Sequence, residues 1–163
     1  LAGFRGVERR LETAGTAAGI SVVDDYAHNP AKIRAALTAL APYHRRILAA
    51  WRPHGYGPLA LMKEELLAMF AETLRPADML FVLPVFYAGG TARRAFTARE
   101  FVETLRGRGL RAEYAPDFDA LEAGLVRQAE KGDAILVMGA RDPCLPAFAR
   151  RLVSTIGRGR MQG

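Results

Sequence analysis

The sequence predicts an α/β domain of three layers: a mostly parallel sheet with an antiparallel first strand, and helices packed on both faces. Three observations carry this. Short apolar or β-branched runs at 20–25, 46–51, 79–83 and 134–138 alternate with longer segments whose apolar residues recur at helical spacing. Such alternation is the signature of parallel strands, because each parallel crossover needs a covering element, usually a helix. The opening departs from the pattern: residues 7–14 pass through the Gly15–Gly19 segment straight into 20–25, as a hairpin does.

The remaining elements follow in order. Asn29-Pro30 opens a helix with proline in its first turn, and Ile33, Leu37 and Leu40 share one face. Arg46–Trp51 is a short apolar strand, and a loop over Pro53–Pro58 leads to a helix marked by Met62, Leu66, Met69 and Leu74. The strand 79–83 runs into a glycine loop, Tyr87-Ala88-Gly89-Gly90-Thr91. Thr97 and Glu100 have the spacing of a capping box for a helix ending near Gly107 or Gly109. A short strand is expected at 112–115, and Asp117 caps a helix carrying Leu121 and Leu125. The last strand, 134–138, precedes a helix defined by Leu145, Phe148, Leu152 and Ile156. One domain over 1–157 is expected, with 158–163 as a flexible tail within the glycine- and arginine-rich 157–163.

Composition narrows the function classes. The chain has 163 residues, half of them hydrophobic and a quarter charged, as in an ordinary globular domain. No apolar run approaches the ~20 residues of a membrane span. The single cysteine, Cys144, excludes an internal disulfide and a cysteine-based zinc site, and its setting suggests a small buried hydrophobe. The net charge of +6 is carried almost wholly by arginine, with lysine only at Lys32, Lys63 and Lys131. These arginines are scattered and no aromatic residues interleave with them, which argues against a nucleic-acid stripe. The chain begins with Leu1, and we expect it to be a piece of a longer protein.

In doubly wound sheets, ligands sit beyond the C-terminal ends of the strands. Four polar or glycine-rich segments fall there: Asp24–Pro30, Arg52–Pro58, Tyr87–Thr91 and Gly139–Pro143. Asp24-Asp25-Tyr26-Ala27-His28-Asn29-Pro30 offers carboxylates for ribose hydroxyls or Mg²⁺, and an imidazole that binds an anion when charged or acts as a base when neutral. It reads equally as a helix-capping turn closed by Asp25 or Asn29. Arg52-Pro53-His54-Gly55-Tyr56-Gly57-Pro58 can aim Arg52, His54 and Tyr56 at an anionic ligand, or be a tight surface connection with Tyr56 on the core. The Tyr87–Thr91 loop lacks the lysine of a phosphate-binding loop and reads as a turn. No second histidine lies at metal-ligand spacing from His28, so no protein metal site is expected.

Taken in order, these motifs resemble the C-terminal domain of the Mur ligases, ATP-dependent amino-acid ligases of peptidoglycan synthesis. Phe4-Arg5-Gly6-Val7-Glu8-Arg9-Arg10-Leu11-Glu12 resembles the family's F-x-G-x-x-x-R-x-E opening, and residues 24–30 its D-D-Y-[AG]-H-x-P segment. Arg52-Pro53-His54 is similar to the Q-P-H loop of the alanine-adding branch. Phe86–Gly90 and Met138-Gly139-Ala140-Arg141-Asp142 resemble its Y-x-A-G-E and G-A-G-D loops.

The resemblance implies a Rossmann-like domain that closes over a central ATP-binding domain, in a bacterial cytoplasmic enzyme of peptidoglycan synthesis or recycling. That enzyme joins an amino acid or peptide to a UDP-N-acetylmuramate-type carboxylate through an acyl phosphate. ATP and Mg²⁺ are bound mainly by the central domain, whose G-K-[ST] loop this chain lacks, so the chain alone is expected to be inactive. Its expected partners are the central and N-terminal domains of the same protein, with neither nucleic acid nor membrane. The resemblance assigns Arg10 to the nucleotide phosphates as a catalytic cation, Asp25 to the ATP ribose, and Tyr26 to the neighbourhood of ATP and the incoming amino acid. It places His28 near the incoming amino acid and makes His54 the branch's loop histidine; with the strand-end loops read above, the expected substrate-binding residues are His28, Asn29, Arg52, His54, Tyr56, Arg141 and Asp142. Where the alanine-adding branch has H-R-Y-x-R, this chain has His54-Gly55-Tyr56-Gly57-Pro58, so both substrate-binding arginines are missing. Arg52, Arg141 or His28 must then supply the cation. Two readings compete with the ligase: a non-catalytic nucleotide or small-molecule module of the same fold, and a basic nucleic-acid binder.

Overall fold

A computed structural model of the chain describes residues 9–87, 89 and 96–159. A hairpin of β1 (Glu12–Ala17) and β2 (Ile20–Asp25) opens it. Four further strands complete a six-stranded sheet: β3 (Arg46–Trp51), β4 (Met79–Val82), β5 (Ala112–Tyr114) and β6 (Asp133–Met138). The spatial order is β1-β2-β6-β3-β4-β5, with every pairing parallel except β1–β2. The predicted fold class is the observed one.

The hairpin differs from its predicted position. The first strand begins at Glu12, five residues later than expected, and the turn is only Ala18-Gly19, with φ of 51° and 74°. Gly15 lies inside β1 beside a bulge, where a Cβ would come within 3.0 Å of the Val153 side chain. It is a packing glycine, mistaken in the sequence for a turn residue.

The central strands β3 and β6 are buried along their whole length and show no polar alternation, as strands covered on both faces must. One face carries α1 (Pro30–Leu40), α3 (Lys63–Thr73) and α4 (Ala98–Gly107), packed on Val23, Ile47, Leu80, Val82 and Leu136. The other carries α5 (Phe118–Gln128) and α6 (Cys144–Gly159), packed on Val22, Leu48, Phe81, Ile135 and Val137. Each large apolar side chain buried this way contributes roughly 1.5–3 kcal/mol before conformational entropy is charged against it. A short helix, α2 (Tyr56–Leu61), begins inside the Pro53–Pro58 stretch expected to be loop and runs past it. The capping box of Thr97 and Glu100 and the Asp117 cap are both present.

Cys144 is exposed, against the expectation of burial. It is the first residue of α6, and Leu145 takes the core position beside it. That helix continues through Gly159, two residues beyond the predicted domain end; 160–163, like the Phe4–Glu8 part of the opening motif and residues 88 and 90–95 of the glycine loop, lie outside the described residues.

The topology points to a candidate site. The helices that follow β2 and β3 cross one face of the sheet, and the helix that follows β6, the strand between them, crosses the other. Loops leaving adjacent strands toward opposite faces open a crevice at the strands' C-terminal ends. The loops after β2, β3 and β6 border it.

Candidate functional site

The first feature is a clamp at the end of β2. Arg9 and Leu11 both adopt left-handed backbone, with φ of 61° and 46°, a conformation that costs non-glycine residues about 1–2 kcal/mol. Each is held by one aspartate. Buried Asp24 accepts two hydrogen bonds from the Arg9 guanidinium, from Nε at 2.8 Å and Nη2 at 3.0 Å. Asp25 accepts the Leu11 N–H at 2.7 Å on one oxygen and the Ala27 N–H at 2.7 Å on the other. The Tyr26 N–H donates to the Arg9 carbonyl at 2.8 Å, and the Arg9 guanidinium lies 5.3 Å from the Tyr26 ring centre. Between these two anchored residues Arg10 is exposed, with no ion pair among the described residues. The clamp thus places Arg10 at the surface, unpaired among the described residues. Asp25 retains lone pairs for a ligand hydroxyl beside the two N–H groups it holds.

The second feature is a pair of imidazoles. His28 Nδ1 lies 3.0 Å from the Tyr26 carbonyl. A carbonyl can only accept, so Nδ1 carries the proton, and in the neutral ring Nε2 is an acceptor. The His28 ring meets His54 edge-to-face at 5.4 Å and Tyr26 at 5.6 Å. His54 is fixed by a bridge to Phe86: the Phe86 N–H donates to the Pro53 carbonyl at 2.7 Å, and the Gly55 N–H to the Phe86 carbonyl at 2.9 Å. Burial holds the His54 pKa below the ordinary 6.5, and the neighbouring His28 and Arg141 push the same way. Tyr56 begins α2 and meets Tyr87 edge-to-face at 5.4 Å, beside this loop.

The third feature separates two arginines that sequence treats alike. Arg52 pairs with buried Asp142 at 2.5 Å, and its guanidinium lies 5.4 Å and 5.3 Å from the rings of Phe86 and Phe118. The other Asp142 oxygen accepts the Cys144 N–H at 2.9 Å at the start of α6. Arg52 and Asp142 therefore neutralise each other and tie the β3 loop to the β6 loop. Arg141, next to Asp142, is exposed, has φ of 67°, and has no ion pair or hydrogen bond among the described residues. Asn29 caps α1: its Oδ1 accepts the Lys32 N–H at 3.0 Å.

Gly139, Phe86 and Phe118 were not singled out as site residues. Gly139 lets the β6 loop lie against the β3 loop, because a Cβ there would sit 2.9 Å from the Arg52 carbonyl oxygen. Its N–H also reaches the Asp25 carbonyl at 3.3 Å, joining all three loops. The glycine after an apolar strand was the available signal; Phe118, more than sixty residues from Arg52, left none. Among the described residues no cluster of histidine, cysteine or acidic side chains has the arrangement to hold a metal ion. Nor is any described helix long and apolar enough to cross a membrane.

Comparisons with known proteins identify the family and the fold. The family described as Mur ligase, glutamate ligase domain, matches residues 9–141. The UDP-N-acetylmuramate–L-alanine ligase of Caldanaerobacter subterraneus subsp. tengcongensis is 36% identical over 138 residues, covering 84% of this chain and 29% of that protein. The solved UDP-N-acetylmuramate-alanine ligase of Thermotoga maritima superposes with a TM-score of 0.66 at 25% identity, over 98% of this chain and 32% of that one. A murein peptide ligase from Psychrobacter arcticus shares the fold, with a TM-score of 0.71 at 20% identity over 96% of this chain and 31% of that one. The chain thus spans about three tenths of the curated relative's length. With the family matched across most of its residues, and the doubly wound sheet in place, this chain is a C-terminal Mur ligase domain.

Proposed function

We propose that this domain forms the amino-substrate side of an ATP-dependent ligase. The enzyme joins an amino acid or peptide to the carboxylate of a UDP-N-acetylmuramate-type substrate, in cytoplasmic peptidoglycan synthesis or recycling. The observation that carries this is the crevice itself: His28, His54 and Arg141 gather where the β2, β3 and β6 loops meet, and the clamp displays Arg10 at the end of β2.

The chemistry follows from those groups. An amine attacks a carboxylate only after the latter is activated, here as an acyl phosphate, and only in its unprotonated form. His54 stays neutral near pH 7 and accepts the ammonium proton. The new C–N bond forms as the C–O bond to phosphate breaks, and inorganic phosphate leaves with that electron pair. Arg10 supplies charge to the phosphoryl group during its transfer to the carboxylate. For ATP, Asp25 and Arg10 fit the ribose and the phosphates. Mg²⁺ fits none of the described clusters, and we assign it to another part of the ligase.

The test is phosphate release by the longer ligase that carries this segment, with UDP-N-acetylmuramate and a panel of amino acids and peptides. We expect release that needs both substrates. Arg10→Ala should lower kcat by roughly a hundredfold or more, the scale of a lost transition-state arginine, with little change in KM for the amino substrate. The 163-residue chain alone should not turn over ATP, since its sequence has no G-K-[ST] loop. Amine-independent release, or none across the panel, overturns the assignment.

A further inference from the structure

We propose that Arg141 anchors a free carboxylate on the amino substrate, so that this pocket takes an α-amino acid or a peptide with an open C-terminus. This rests on reading the crevice as the amino-substrate site, and it narrows what that site accepts.

Charge accounting at the crevice points to it. Asp24 is occupied by Arg9, Asp25 by two backbone N–H groups, and Asp142 by Arg52 and the start of α6. Arg52, the first cation the sequence offers, is neutralised by Asp142 and enclosed by two phenylalanine rings. Arg141 differs in every respect: it is exposed, unpaired among the described residues, and near enough to His54 for its charge to act on that imidazole. A ligand carboxylate on Arg141 would therefore place an adjoining amine beside the imidazole acceptors.

The backbone gives independent support. Arg141 has φ of 67°, in the left-handed region where a Cβ crowds the following carbonyl and glycine is favoured. Side chains held in such conformations cluster at ligand-binding sites. Nothing in the packing of the described residues explains an arginine here. It makes no hydrogen bond, ion pair or ring contact among the described residues that would offset the strain. The neighbouring β3 loop has the opposite arrangement. Gly55, at φ of 70°, takes the left-handed position there and brings no charge. The cation therefore stands on the β6 loop and not on the adjacent turn of the β3 loop.

The experiment is an NMR titration of the 163-residue chain, following the His28 and His54 imidazole signals. The probes are L-alanine, L-alanyl-L-alanine and the C-terminal amides of both. In the wild type the acids should move these signals and bind at least about tenfold more tightly than the amides, as expected for a lost charge-assisted contact. Arg141→Gly should erase that preference, leaving acid and amide equally weak, whereas Arg141→Lys should keep part of it. Arg141→Gly should also melt at or above the wild-type temperature, because glycine adopts this backbone without strain. The proposal is overturned if Arg141→Gly keeps the acid preference, if wild type binds amide and acid alike, or if Arg141→Gly melts markedly lower. In those cases the imidazole signals still move and the pocket assignment stands. If no probe moves either signal, the pocket assignment fails, and this inference with it.

Discussion

Buried aspartates at the two edges of the sheet are arranged differently. At the N-terminal edge, fully buried Asp133 accepts from Arg46 Nε and Nη2 at 3.1 and 2.6 Å, from Arg45 at 3.1 Å and from the Glu130 N–H at 2.8 Å. Asp78 likewise accepts the Ile47 N–H at 2.7 Å and three hydrogen bonds from Arg75. These arginines and aspartates bind each other and the strand ends. At the C-terminal edge the aspartates are also satisfied, yet Arg10 and Arg141 remain exposed without ion-pair partners among the described residues. Both edges are rich in charge, so charge alone does not mark the site. At the C-terminal edge the difference is that two arginines, Arg10 and Arg141, stand beside carboxylates already satisfied by other groups.

The sharpest way to break this contrast is at Asp133. Asp133→Ala leaves Arg46 nearly buried without its carboxylate and should cost about 3–5 kcal/mol, read as a lower urea midpoint, without changing how the amino-acid probes bind. A loss under about 1 kcal/mol would mean that the N-terminal edge is not the rigid one. Arg52→Ala comes next. It strands Asp142, and with Arg52 only partly buried the loss should be about 2–3 kcal/mol. Probe binding should weaken too, because the β3 and β6 loops are no longer tied. If binding weakens and stability does not, Arg52 contacts ligand directly. Asn29→Ala should lose about 1 kcal/mol, the usual value of an N-cap, with probe affinity unchanged; a selective loss of affinity would return Asn29 to the pocket. The smallest effect concerns pH. His54 has a folded pKa below 6.5, so the unfolded chain takes up its proton more readily. The His54 contribution is therefore neutral above 6.5 and destabilising as pH falls through 6.5 toward the folded value. His54→Gln should flatten that part of the stability–pH curve, and an unchanged slope would place the titration elsewhere.

Most of the architecture was legible because it rests on local signals. Apolar runs gave β3, β4 and β6, Thr97 and Glu100 gave the start of α4, and Asp117 gave that of α5. The hairpin was misplaced because Gly15 answers to Val153, a residue far along the chain. The candidate site was legible as a set of loops and as a family resemblance. What each residue does there was not. Arg52 and Arg141 look alike in sequence. They are told apart by Asp142, Phe86 and Phe118, which only the folded chain brings to Arg52. Asp25 read as a ligand group, and its hydrogen bond to the Leu11 N–H depends on a left-handed turn that no composition signal announces.

The central position of β6 also governs how the chain can assemble. β2 and β3 have no hydrogen bonds to each other; each pairs with β6, the last strand in sequence. The hairpin and the β3–β4–β5 unit can therefore form early, as separate pieces exposing open strand edges. They join only when residues 133–138 insert between them. That closure spans more than a hundred residues from Ser21 to Ala134 and must bear its chain entropy before most of its contacts form, which slows folding. On a ribosome, the two unsatisfied edges persist until β6 has emerged, and in that interval the chain is most open to pairing with another copy of itself.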